Sequence, residues 1–95
     1  MSQFIKELMI QKIKSLSLDE LQTYSRKYNF HLTEKEALNI ISYLQNHHLE
    51  PFSADGRVEM FRELAQITNT QTAKRAQQLF LKLIKTYNVE HLFHE

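Results

Sequence analysis

The sequence predicts an all-α fold, a compact bundle of about five short helices in a single domain, and three observations carry that expectation. Apolar residues recur at three- and four-residue spacing along most of the chain, the period of an amphipathic helix. The 95 residues include one glycine and one proline. Average usage, about 7% and 5%, would supply several of each. Hairpin turns and bulges draw on residues that tolerate positive φ, so this scarcity favours helices joined by short polar links. The third observation is a helix-start signal that occurs twice, as Leu16-Ser17-Leu18-Asp19-Glu20-Leu21 and as Leu32-Thr33-Glu34-Lys35-Glu36-Ala37. In each, a hydroxyl residue is followed three positions later by Glu, the pattern of a capping box, with apolar residues placed to staple it.

Residues 3–15 form the first expected helix, with Phe4, Ile5, Leu8, Met9 and Ile13 on its apolar side. Ser17 caps the second, which turns Leu18, Leu21, Tyr24, Ser25 and Tyr28 inward. Asp19 and Glu20 complement its N-terminal dipole, and Arg26 and Lys27 its C-terminal end. Asn29 suits the left-handed position that ends a helix. Thr33 caps the third, with Ala37, Ile40, Ile41 and Leu44 facing the core until His47 and His48, ahead of Pro51. Ser53 caps a fourth carrying Val58, Met60, Phe61, Leu64, Ala65 and Ile67, although Gly56 at its third position is a poor helix residue and lets that start slip. A break at residues 68–71 offers Thr68 with Gln71 as a third capping box. The fifth helix presents Ala73, Ala76, Phe80, Leu83, Ile84 and Tyr87, and the third and fifth have the longest apolar faces, which places them centrally. Residues 88–95 form a tail that still carries Val89, Leu92 and Phe93.

Composition narrows the function classes. At 42% hydrophobic and 24% charged, the chain has the make-up of a globular domain. One glycine excludes the Gly-rich loops of P-loop and Rossmann enzymes. With no cysteine there is no thiolate metal site and no thiol nucleophile, as suits a reducing compartment. The N-terminus has charges where a signal peptide needs an apolar run, and no stretch is long and apolar enough to span a membrane. The expected location is the cytoplasm.

Catalysis is not expected. Asp19, Glu20, Glu34 and Glu36 serve helix starts, Glu59 can pair with Arg62 and lies one turn from Glu63, and Ser17, Thr33 and Ser53 serve as caps. His91 and His94, with Glu90 and Glu95, are spaced for one helix face, but chain ends fray and a metal site needs more ligands. His47 and His48 suit a helix C-terminus. No cofactor, metal or small-molecule substrate is expected. A pocket gathering His31 or His47 with an unpaired carboxylate would reopen the question.

Two surfaces remain. Lys74, Arg75, Lys82 and Lys85 run along the fifth helix, a stripe able to follow a phosphate backbone. A net charge of +1 and the lack of aromatic residues within the stripe make it the second choice. DNA reading by the helix–loop–helix is disfavoured, because Glu34 and Glu36 sit where a recognition helix meets phosphate. The leading expectation rests on apolar residues off the main stripes. Ile10, Leu38 and Leu81, with Tyr43 and the tail's Leu92 and Phe93, exceed what one small core covers. Ile10, Leu38, Leu81 and Phe93 are the expected surface for a protein partner or a second copy.

Taken in order, Ser17-Leu18-Asp19-Glu20-Leu21, Leu32-Thr33 through Glu36-Ala37, Pro51-Phe52, Ile67-Thr68-Asn69 with Thr72-Ala73, and Leu79-Phe80 resemble the YqfT-like family. These are small proteins of Bacillus-type bacteria carried as a domain of unknown function. The likeness runs from about residue 4 to about residue 86, on motifs that frame helices. It implies a cytosolic protein and supplies no activity, cofactor or catalytic residue to carry over.

Overall fold

The computed structural model describes the backbone of residues 2–87 and the side chains of residues 3–82. Five helices follow one another: α1 (Ser2–Lys14), α2 (Leu18–Lys27), α3 (Glu34–Asn46), α4 (Ala54–Ile67) and α5 (Thr70–Tyr87). Among the described residues there is no strand. The fold is the all-α bundle expected from the periodicity. The tail residues Val89, Leu92 and Phe93 lie outside the described residues.

Both capping boxes close. The Ser17 hydroxyl accepts from the Glu20 N–H at 3.1 Å while the Glu20 carboxylate accepts from the Ser17 N–H at 3.0 Å. At α3, Thr33 and Glu36 make the same reciprocal pair at 3.0 and 2.9 Å. The end of α2 is equally well defined. Asn29 adopts φ 63°, the Phe30 N–H reaches back to the Ser25 carbonyl at 2.9 Å, and the Asn29 N–H reaches the Arg26 carbonyl at 3.4 Å. That bond pair is a Schellman motif, which satisfies the last carbonyls of α2 and buries Phe30 behind them.

The third box does not form. Thr68 ends α4, its N–H and its hydroxyl both donating to the Leu64 carbonyl at 2.9 and 2.7 Å. Asn69 takes over as the cap of α5, its side-chain oxygen accepting from the Thr72 N–H at 2.8 Å. A residue already committed to closing one helix is not free to open the next.

The core gathers on α3. Ala37, Ile40, Tyr43 and Leu44 are buried there against Leu21 of α2 and Leu49 of the following connector, with Ile13, Leu16, Met60 and Leu64 closing around them. α3 packs on α1, α2 and α4, as a central helix should. α5 does not share that position, because it packs chiefly along α4. The link between them is only Thr68 and Asn69, and so short a loop makes consecutive helices antiparallel neighbours. A second cluster forms around Phe52, which Ile5, Met9, Ile10 and Phe80 surround. The Phe52 and Phe80 rings lie 6.4 Å apart at 58°, a tilted aromatic pair.

The connector from α3 to α4 reads in sequence as a turn, yet it is part of the core. Leu49 is 2% exposed, and Pro51 and Phe52 are buried beside it. Its backbone is satisfied by neighbours: Lys14 Nζ donates to the His47 carbonyl at 2.9 Å and Arg57 Nη1 to the Pro51 carbonyl at 3.3 Å. The connector also explains Gly56. A Cβ there would overlap the Glu50 carbonyl oxygen and lie 2.7 Å from its carbon. The start of α4 therefore does not slip. Ser53 caps it, accepting from the Gly56 N–H at 2.9 Å, and glycine is present because the connector crosses the first turn. On α4 itself Val58 faces solvent, contrary to its expected place in the core.

Candidate functional site

A groove of about 380 Å³ lies between α1, α2 and α5. Ile5, Leu8, Met9, Ile13 and Leu16 form one wall, Leu21 and Tyr24 a second, and Leu79 and Phe80 a third, with Lys12 the one charged residue among them. Ile13, Leu16, Leu21, Leu79 and Phe80 also wall an inner cleft of about 160 Å³ that runs toward Ile40, Leu44 and Ala73. The groove thus opens inward onto the core through shared apolar walls.

Its α1 edge presents side chains expected inside. Phe4 is 68% exposed and Leu8 54%. The sequence contained a signal for this. At 100° per residue, Phe4, Ile5, Leu8, Met9, Ile13 and Ile10 spread over about 240° of the helix, more than one buried stripe requires. Some of that arc had to face solvent or a partner.

Three of the four residues expected to form a partner surface are among the described residues. Ile10 is half-buried against Phe52. Leu38 and Leu81 are exposed on α3 and α5, and Phe93 lies outside the described residues. Tyr43, another off-stripe residue, is buried in the core. Burial first, then the charges of Glu63 and Glu59, push its hydroxyl above the ordinary tyrosine value.

The basic stripe is drawn against the end of α2. Arg75 Nη1 donates to the Asn29 carbonyl at 2.8 Å. Lys82 Nζ lies 5.4 Å from the centre of the Tyr28 ring, and Lys27 Nζ lies 5.7 Å from it. Tyr24 adds a second ring 6.4 Å from Tyr28. Lys74 is exposed, and the side chain of Lys85 lies outside the described residues. The stripe is thus joined to an aromatic residue from another helix, which no spacing within α5 could reveal.

The remaining polar groups occupy structural positions. His47 Nδ1 lies 3.0 Å from the Tyr43 carbonyl at the end of α3, and its ring stacks 4.8 Å from that of Tyr43. His48 meets Glu50 at 3.3 Å, and Arg62 meets Glu59 at 3.2 Å. His31 is exposed and does not line the groove. Among the described residues no three His, Asp or Glu side chains gather as metal ligands, and His91 and His94 fall outside them.

No solved structure matches the chain. It is similar to a Bacillus subtilis (strain 168) protein titled "Uncharacterized protein YqfT", with 24% identity over 75 residues, 79% of this chain and 89% of that one. A family described as "Protein of unknown function (DUF2624)" matches residues 1–84, from the start of α1 to the later turns of α5. That span takes in both capping boxes, the buried connector and every wall of the groove, and so the chain belongs to the DUF2624 family.

Proposed function

We propose that this protein is a non-catalytic cytosolic interaction module that receives an apolar helical segment of a protein partner in the groove between α1, α2 and α5. One observation carries the reading: the groove is walled almost wholly by aliphatic and aromatic side chains, Leu8 stands exposed on its α1 wall, and Phe4, one helical turn before Leu8, is exposed as well. Exposed apolar surface of this kind marks a place where something docks. An apolar depression between helices suits the apolar face of a further helix. Among the described residues the groove walls hold no carboxylate, imidazole or thiol, so those walls offer a poor setting for acid–base or nucleophilic chemistry. The absence of cysteine from the sequence, and of a membrane-crossing helix from the described residues, supports a cytosolic setting.

Leu8→Glu places a charge on the groove wall at an exposed position, so the fold is retained. Sedimentation at micromolar concentration tests self-association, and affinity capture from a host-cell lysate tests a separate partner. The expected result is a dimer or a captured protein that the wild type holds through an apolar helix and Leu8→Glu loses. A strict monomer that captures nothing overturns the proposal, as does capture that Leu8→Glu leaves unchanged.

A further inference from the structure

The net charge of +1 conceals a strong segregation of charge. Residues 21–33 contain no Asp or Glu, and neither do residues 64–89. These two windows hold Arg26, Lys27, Lys74, Arg75, Lys82 and Lys85, half of the chain's 12 cations and none of its 11 carboxylates. The fold brings the windows together. Arg75 of α5 donates to the Asn29 carbonyl at 2.8 Å, and Lys82 of α5 lies over the Tyr28 ring of α2 at 5.4 Å. The left-handed Asn29 turns its carbonyl to Arg75, so the end of α2 is the anchoring point.

Among the described residues Arg26, Lys27, Lys74 and Arg75 make no ion pair with a carboxylate. Clustered cations without acidic partners repel one another and hold mobile anions, which a polyanion displaces with a gain in entropy. The face also offers Gln71, Gln78 and Asn29, all exposed, whose amides both donate and accept. Nucleobase edges present donors and acceptors to such amides, and the Tyr28 ring beside Lys27 and Lys82 adds a face on which a base can stack, which an acidic peptide would leave unused. The cations lie at the end of α2 and along α5, linked by Arg75 and Lys82, and are not carried on one projecting element, so they form a shelf. A duplex groove needs an inserted helix or ribbon, but a shelf of cations beside a tyrosine can track a single strand.

We propose that the face formed by the end of α2 and the outer side of α5 binds single-stranded nucleic acid. Arg26, Lys27, Lys74 and Lys82 take the phosphates, and Tyr28 stacks a base that displaces the ammonium groups now lying on its ring. Arg75 is a positioning residue, because its guanidinium holds the two windows in register. This face is separate from the apolar groove, and neither proposal depends on the other.

Fluorescence anisotropy with labelled oligo(U) and oligo(dT) over a range of salt concentrations tests it, with a matched duplex and poly-glutamate as competitors. The expected log–log salt slope is about −3, as for about four phosphates on a single strand. Replacing Arg26, Lys27 and Lys74 together by Gln, all at exposed positions, should weaken binding at low salt about tenfold or more and flatten the slope by about 2. Tyr28→Leu should weaken binding about tenfold with the slope unchanged, because it removes stacking and no charge. A Lys35→Gln control, outside both windows, should change nothing. The proposal is overturned if no oligonucleotide binds at low salt, if the triple variant binds as the wild type does, or if the duplex or poly-glutamate competes more strongly than the single strands.

Discussion

At Gly56 the missing side chain lets the Glu50 carbonyl rest against the first turn of α4. Helix propensity alone would favour alanine there by about 1 kcal/mol. Overpacking against fixed backbone costs about 1–3 kcal/mol, and here the obstructing atoms are backbone. Gly56→Ala should therefore lower stability by about 1–2 kcal/mol in urea unfolding, the opposite sign from propensity. A stabilised variant would show that the connector can lift off α4. Asn29 is the contrasting case. Its role in ending α2 could be read from its residue type and its place after Arg26 and Lys27, because the left-handed turn involves only neighbours in the chain.

On the scale of single helices, the two capping boxes were fully legible because each needs only four consecutive residues. The Ser17 backbone N–H, then its hydroxyl, hold the Glu20 carboxyl below its ordinary value, with Lys12 adding a smaller pull. A carboxyl held low in the folded state adds stability above its unfolded value, here near 4.5, and that stability is lost as pH falls through the lowered value. The start of α2 should accordingly fray in acid. Ser17→Ala should cost about 1 kcal/mol at neutral pH. It should also let the Glu20 carboxyl titrate back toward its ordinary value, as followed by carboxyl carbon NMR. An unshifted Glu20 titration in that variant would separate the carboxyl from the cap. The box expected at Thr68 and Gln71 failed for a reason outside its own four residues, since Thr68 was already closing α4 on the Leu64 carbonyl.

Across the whole molecule, the connector between α3 and α4 joins the core around α3 to the cluster around Phe52. Leu49 is buried where they meet, and Leu49→Ala should cost about 2–5 kcal/mol in denaturant melts. That is a large share of the roughly 5–14 kcal/mol expected for 95 residues. A loss below about 1 kcal/mol would mean that the site collapses without harm. Charge is organised on the same scale. Residue counts give near neutrality, and an argument from net charge makes a polyanion surface the second choice. The fold joins two sequence windows that contain no Asp or Glu, and Tyr28 supplies from the end of α2 the aromatic residue that the α5 stripe lacks.

The sequence by itself determined the fold class, the five helices, the two capped starts and the end of α2 at Asn29. Each of these depends on hydrogen bonds or periodicity within about four residues, so the information is local. Only the tertiary structure decided which apolar residues became core and which became surface. Tyr43 went inside, Ile10 became half-buried, and Val58, Phe4 and Leu8 stayed outside, because helix periodicity gives the width of a face but not what covers it. The same holds for the candidate sites. The cations of α5 were legible one by one, whereas the groove, the Tyr28 contact and the joining of two acid-free windows exist only where distant segments pack together.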